Sequence, residues 1–302
     1  MPLAAGSIFG AALTSAGVYH PAVIIGQMTL QDFTMLKVFL TAAAISASII
    51  SITTTTGVAK VQPRASSTVG LFGRYDANII GGVLLGIGSS LTGACPGTVF
   101  PQIATGVRSS LFVFLGGITG AVLFERLAAK SVTQGKRATV HSTLGVHETW
   151  SKVIYQATCM IIVAVAAYLV PGNRNYWVSP YIGGILIACI TSAYASIAHW
   201  ITSTTSRNQK NGHDYRSVVF VTGALLGSWA LSRIEGPLPS APLVHISAIK
   251  ASIGGALSIF GARLSGGCTS GHGITGMSQL SISSFITIAA MFGGGVMWSF
   301  LV

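Results

Sequence analysis

The chain has 302 residues, of which 51% are hydrophobic and only 8% are charged. A soluble domain carries about 25% charged residues, so this composition excludes an ordinary soluble enzyme. Its high hydrophobicity also excludes a disordered chain, which needs low hydrophobicity and a high charge density. The composition therefore predicts an all-α, polytopic integral membrane protein.

Nine apolar segments are each long enough to cross a hydrocarbon layer of about 30 Å, and short re-entrant or broken helices are expected beside them. In chain order the segments are 4–28, 36–57, 77–101, 109–129, 153–171, 178–201, 217–234, 243–262 and 283–302. We predict one membrane domain over residues 1–302. It consists of a first half at 1–135, a second half at 150–302 and a polar loop between them at 136–149.

The net charge of +11 is concentrated in three polar stretches, 58–76, 126–152 and 203–216, which hold 11 of the 17 basic residues. Each pair of these stretches is separated by two predicted spans, so all three fall on one side of the membrane. The positive-inside rule predicts that they face the cytoplasm. We expect the host membrane to be a cell (plasma or inner) membrane. No basic cluster alternates with aromatic residues, so we expect no nucleic-acid partner.

A short pattern recurs at residues 9–17, 87–95 and 260–268: a bulky apolar residue, Gly, two variable residues, Leu, Ser or Thr, then three small residues. A degenerate copy follows Gly183-Gly184 and has lost its glycines. Repeated Gly/Pro-interrupted segments in matching places predict two pseudosymmetric halves and a transport site near the middle of the membrane. The alternative is that the small residues only mark close helix crossings.

Two of the four cysteines, Cys95 and Cys268, end two copies of this pattern. Both lie among glycines, and Pro96 follows Cys95 directly, so neither stretch can be a continuous helix. Non-helical backbone survives at membrane depth only where it is buried in protein or lines a cavity. We therefore predict an anion path here, with free backbone N–H groups and helix N-termini nearby. Its candidate residues are Gly93, Cys95, Pro96, Gly97, Thr98, Arg263, Gly266, Gly267, Cys268, Thr269, Ser270, Gly271 and His272.

Several of these residues have a second interpretation. His272 is either functional or a hydrogen-bonded histidine between helices. Arg263 either attracts the substrate or is a flanking charge that extends to the membrane surface. A metal site formed by Cys95, Cys268 and His272 would need a further ligand or an open position, and the paired cysteine spacing of such sites is absent. We predict no metal, no cofactor and no catalytic residue.

At these residues the sequence resembles the YeeE/YedE family of sulfur transport proteins. Residues 261–273, Gly-Ala-Arg-Leu-Ser-Gly-Gly-Cys-Thr-Ser-Gly-His-Gly, are similar to the family's signature loop. Residues 91–97 are similar to a second family element, and residues 7–26 to the start of its first repeat. The resemblance implies a helical, internally pseudosymmetric membrane protein whose loops meet near the middle.

The resemblance also implies a mechanism, in which Cys95 and Cys268 hand thiosulfate onward through S–H hydrogen bonds without covalent chemistry. Some family members carry a cysteine in the first element where this chain has Gly17. The thiol path would then be shorter, which leaves sulfide, polysulfide or another sulfur oxyanion open as the substrate.

These features predict a permease for a small sulfur-containing anion, with thiosulfate as the first candidate, and not an enzyme. Its partners would be that anion and the lipid bilayer. One alternative is a membrane sulfur-relay protein in which Cys268 carries a persulfide to a cytoplasmic sulfur-acceptor protein. Another alternative is a structural membrane subunit.

Overall fold

The computed structural model describes residues 1–57, 61–170, 176–205, 215–236 and 244–301, without the side chains of 195–205. The described part is mainly helical, with one short antiparallel pair of strands, β1 (Ser67–Thr68) and β2 (Thr133–Gln134). The helices are α1 (Pro2–Ser15), α2 (Pro21–Met28), α3 (Thr34–Thr55), α4 (Asp76–Thr92), α5 (Val99–Ala104), α6 (Ser110–Leu127), α7 (Val140–Leu144), α8 (Glu148–Leu169), α9 (Pro180–Thr205), α10 (Arg216–Glu235), α11 (Ala248–Leu264) and α12 (Ile282–Leu301), with a π-helical turn at Gly271–Gly276.

Two of the predicted spans are broken. Segment 4–28 divides into α1 and α2, and segment 77–101 divides into α4 and α5. The α4 break begins at Gly93, whose φ of 56° lies in the left-handed region that glycine adopts without steric cost. The break after α11 also has a glycine in the left-handed region, Gly266, with a φ of 80°. The degenerate copy behaves differently, because α9 continues through it without a break.

Five helices of the described residues are long and apolar enough to cross a membrane: α3, α6, α8, α10 and α12. The helices α4 and α11 have 17 residues each and continue into loops. Two of the nine predicted segments therefore consist of a helix, a break and a second short helix.

Glycines bring the helices of the core into close contact. A Cβ on Gly81 of α4 would lie 2.6 Å from the carbonyl oxygen of Gly261 on α11, and one on Gly88 would collide with the backbone of Gly254. Since no side chain fits there, the two helices pack backbone to backbone, as small residues permit in membranes. The main contacts between helices come in two matching pairs. The contact of α1 with α10 matches that of α9 with α3, and the contact of α4 with α12 matches that of α11 with α6.

The first two basic stretches lie at one end of the molecule. Strand β1 lies in the first stretch and pairs with β2 in the second, with Ser67 opposite Gln134. The third stretch, 203–216, falls largely outside the described residues. The loop predicted between the two halves is also held in place, since Val140 N–H donates to the carbonyl of Leu280 (2.9 Å).

Candidate functional site

The Cys95 loop is held by side chains of the short helix that follows it. The Thr98 hydroxyl accepts a hydrogen bond from the Cys95 N–H (2.9 Å) and lies 3.5 Å from the Cys95 sulfur. Gln102 is fully buried, and its side-chain amide donates to the carbonyls of Gly93 and Tyr19, both at 2.7 Å. The carbonyl left free at the end of α4 is thereby satisfied, as a helix end inside a membrane requires.

The Cys268 loop is fixed in a similar way. Asn78 is buried in α4, and its side-chain NH₂ donates to the carbonyl of Ser265 at 3.0 Å. The Ser265 hydroxyl in turn donates to the carbonyl of Gly261 (2.9 Å). Beyond this end of α11, the half-buried Cys268 has its sulfur 3.3 Å from the hydroxyl of Ser270. The thiol and the hydroxyl therefore form a polar pair within an otherwise tightly bonded loop.

Both ring nitrogens of His272 are occupied. Nε2 lies 3.1 Å from the carbonyl oxygen of Ser265 and must donate to it, because a carbonyl only accepts. Nδ1 lies 3.0 Å from the hydroxyl of Ser284. The ring is 1% exposed and links the end of α11 to α12, so its contacts agree with the second interpretation, a hydrogen-bonded histidine between helices. The metal hypothesis loses its third ligand here, and the described residues contain no group of three metal-binding side chains.

Gly97 lies where the two cysteine loops meet. A Cβ built on Gly97 would be 3.8 Å from the Cys95 sulfur and 3.8 Å from the Ser270 hydroxyl. With the pair of Cys268 and Ser270, the polar groups run in the order Cys268, Ser270, Cys95 and Thr98. The structure thus brings together the two cysteines that are 173 positions apart in the sequence.

Two cavities of different size border this row of polar groups. The larger one, of about 540 Å³, is called the vestibule here. It is lined by Ser67, Pro96, Phe124, Ala129, Val132, Gln134, Ile259, Ala262, Arg263, Gly266, Gly267 and Cys268. The other, of about 40 Å³, is called the small cavity. It is lined by Phe9, Leu13, Val18, Met35, Val38, Phe39, Cys95, Gly97, Thr98, Ile187, Thr269, Ser270 and Ile274. The vestibule opens at the end that carries the basic stretches, because both strands line it.

Arg263 does line the vestibule, but its charge is exposed and partly offset. Its side chain is 59% exposed and its Nη1 lies 3.9 Å from a carboxylate oxygen of Glu125. The predicted helix N-termini also offer less to an anion than the sequence suggested. The helix α5 and the π-helical turn have six residues each, and the Cys95 N–H is taken by Thr98.

Arg64 is the residue that sequence reasoning missed. It belongs to the first basic stretch, yet its guanidinium donates to the carbonyls of Gly271 (2.9 Å) and Gly266 (2.8 Å) in the Cys268 loop. Burial lowers the pKa of the Arg64 guanidinium from its ordinary value, while the neighbouring Cys268 opposes that shift. An arginine keeps its charge at neutral pH after such a shift. No signal in the sequence separates Arg64 from the topology charges around it.

Comparison with known proteins relates this chain to a transport family. A family model described as sulphur transport matches the chain twice, over residues 15–180 and 136–297. The chain is similar to a protein named thiosulfate transporter TsuA from Spirochaeta thermophila, with 23% identity over 94% of this chain and 93% of that protein. It is also similar to a protein named probable transporter from Xylella fastidiosa (strain 9a5c), with 32% identity over 40% of this chain and 91% of that protein.

Proposed function

Since the chain belongs to the sulphur transport family, we propose that it takes up thiosulfate across a cell membrane along a path lined by Cys95 and Cys268. The relative named thiosulfate transporter supports the choice of anion. The observation that carries the mechanism is the row of Cys268, Ser270 and Cys95 between the vestibule and the small cavity. The family membership supports a multi-pass membrane protein that carries a small sulfur anion. The path along the two thiols is what we add to it.

In this mechanism each thiol donates an S–H hydrogen bond to the passing anion and no covalent bond forms. A thiol is a weak donor, so the anion is held and then released, which conduction through successive sites requires. Thiosulfate entering through the small cavity would contact Cys95 and Thr98 first. It would then pass Ser270 and Cys268 and leave through the vestibule.

The matching helix contacts support two pseudosymmetric halves, residues 1–135 and 150–302. Exchanging α1 with α9, α3 with α10, α4 with α11 and α6 with α12 turns the α1–α10 contact into the α9–α3 contact and the α4–α12 contact into the α11–α6 contact. Nine membrane crossings, some made of a helix and a short broken segment, fit this exchange. The basic stretches then face the cytoplasm. The structure would be open on that side, because the vestibule is much larger than the small cavity.

The test is uptake of labelled thiosulfate into vesicles reconstituted with the protein, with unlabelled sulfate, sulfite and sulfide as competitors. We expect C95A and C268A to abolish uptake while both proteins still insert into the membrane. C189A is the matched control, since Cys189 is exposed on α9 and lines neither cavity. Wild-type uptake by both C95A and C268A would contradict the thiol path.

The same preparations test the relay alternative. A persulfide on Cys268, detected by mass spectrometry after incubation with thiosulfate, would favour transfer of sulfur to a cytoplasmic acceptor over transport of the intact ion. We expect Cys268 to remain an unmodified thiol throughout uptake.

A further inference from the structure

Arg64 is fixed against the Cys268 loop from both ends. Its guanidinium donates to the carbonyls of Gly266 and Gly271, as described above. Its own carbonyl accepts hydrogen bonds from the hydroxyls of Ser281 (3.1 Å) and Ser283 (3.3 Å). Arg64 lies in the loop between α3 and β1. These hydrogen bonds nevertheless hold its side chain at a defined position beside the proposed path.

The glycines of the loop make room for this guanidinium. A Cβ on Gly267 would lie 2.5 Å from Nη1 of Arg64, and one on Gly271 would lie 2.6 Å from Nη2. The same Cβ on Gly271 would be 3.7 Å from the Cys268 sulfur. Nη2 and the thiol therefore lie on the same side of the Gly271 backbone, close to one another.

No carboxylate among the described residues neutralises the charge of Arg64. In the part of the chain that the structure describes, Nη2 donates no hydrogen bond and no acidic side chain is within ion-pair distance. Arg263 differs, because Glu125 offsets its exposed charge. The uncompensated cation beside the thiol is thus Arg64 and not the arginine that the sequence pointed to.

The hydrogen bonds of Arg64 also change the electrostatic potential at Cys268. The carbonyl oxygens of Gly266 and Gly271 carry partial negative charge and would repel an anion near the thiol. Arg64 engages both of them with Nη1 and Nε and leaves Nη2 with two N–H groups for a ligand. Guanidinium N–H groups bind the oxygens of oxyanions with short, charge-assisted hydrogen bonds.

We propose that Arg64 is an oxyanion-binding residue that makes the Cys268 site selective for doubly charged sulfur oxyanions over singly charged or neutral sulfur species. This proposal rests on the proposed function, since it assumes that a sulfur anion reaches Cys268. An anion whose terminal sulfur contacts the thiol directs its oxygens toward Nη2. The second negative charge is then stabilised by Arg64, and a neutral or singly charged species gains less.

The test compares two anions of similar shape and different charge. Methanethiosulfonate is thiosulfate with one charged oxygen replaced by a methyl group, so it keeps the terminal sulfur and has one negative charge less. Binding of each anion to the full-length protein in detergent is measured by calorimetry for the wild type, R64Q, R64K and R74Q. R74Q is the matched control, because Arg74 is an exposed arginine of the same loop that stacks on Tyr75.

We expect the wild type and R74Q to bind thiosulfate at least about tenfold more tightly than methanethiosulfonate, the range of a charge-assisted hydrogen bond. R64Q should lose this preference by weakening thiosulfate alone, while R64K should keep it because the charge remains. R64K weakens the hydrogen bonds to the carbonyls of Gly266 and Gly271, so it is expected to lower the rate of uptake.

The proposal is overturned by an unchanged preference for thiosulfate in R64Q, by an equal loss of affinity for both anions in R64Q, or by a lost preference in R64K. If R64Q does not fold, the R64K result decides. A wild type that binds both anions equally also overturns it. A wild type that binds neither anion contradicts the proposed function itself, so the two failures are distinguishable.

Discussion

Ser270 is expected to pass the anion between the two thiols, and removing its hydroxyl should slow uptake. The hydroxyl lies 3.3 Å from the Cys268 sulfur and borders the space over Gly97 that Cys95 also borders. A neutral hydrogen bond contributes about 1 kcal/mol, which corresponds to about a fivefold change in rate. S270A should therefore lower the uptake of thiosulfate by about fivefold without abolishing it.

The assay is the initial rate of uptake into vesicles that contain equal amounts of inserted protein. S278A is the matched control, because the Ser278 hydroxyl is buried in the same stretch and donates only to the carbonyl of Thr275 (2.8 Å). S270C, which restores a donor, should recover part of the rate. Wild-type uptake by S270A, or an equal loss in S278A, would refute the idea that this hydroxyl takes part in the path.

Two further substitutions test the packing around the site. G88A should destabilise the protein by about 1–3 kcal/mol, because the added methyl group collides with the backbone of α11. The control G293A has no atom within 4 Å of the added Cβ, so it should be neutral or slightly stabilising in a thermal melt. T98V should lower both stability and uptake, since it leaves the buried Cys95 N–H without its acceptor at a cost of about 1–3 kcal/mol, while T105V removes only a bond within α5 and should resemble the wild type. A G88A variant as stable as G293A, or a T98V variant with wild-type uptake, would contradict these expectations.

The breaks of the fold were predictable from the sequence because they depend on local chemistry. Proline and glycine restrict or free the backbone wherever they occur, so the end of α4 at Gly93 and the break at Gly266 follow from the residue types alone. Pro96 and the pairs of glycines located the loops, and the two cysteines placed in them identified the candidate site. The unbroken α9 agrees with the loss of glycines in the degenerate copy of the pattern.

The role of Arg64 was not predictable, because it depends on contacts between distant segments. Arg64 and its acceptors Gly266 and Gly271 are about 200 positions apart, and a charge-based argument treats all loop arginines alike. The same limit applied to Arg263, which lies within the signature loop in sequence but is exposed in the structure. Topology charges and site charges share one residue type, and only the tertiary structure separates them.

A buried amide side chain satisfies the carbonyl freed at each of the two cysteine breaks. Gln102 donates to the carbonyl of Gly93, and Asn78 donates to the carbonyl of Ser265. Each amide also reaches a second element, since Gln102 donates to the carbonyl of Tyr19 and the Asn78 side-chain oxygen accepts from Ser67 (2.7 Å). Breaking these bonds would leave polar groups unpaired inside the membrane, so both breaks are rigid features and not flexible hinges.

Rigid breaks restrict where the path can widen during transport. The small cavity, at about 40 Å³, is far smaller than the vestibule, at about 540 Å³. Its walls are mainly apolar side chains of α1 and α3, among them Phe9, Leu13 and Phe39. The ring of Phe39 also packs directly on the backbone of Gly273, at the π-helical turn. Because apolar side chains lose no hydrogen bonds when they move, we expect displacement of these side chains to open the proposed path at lower cost than movement of either cysteine loop.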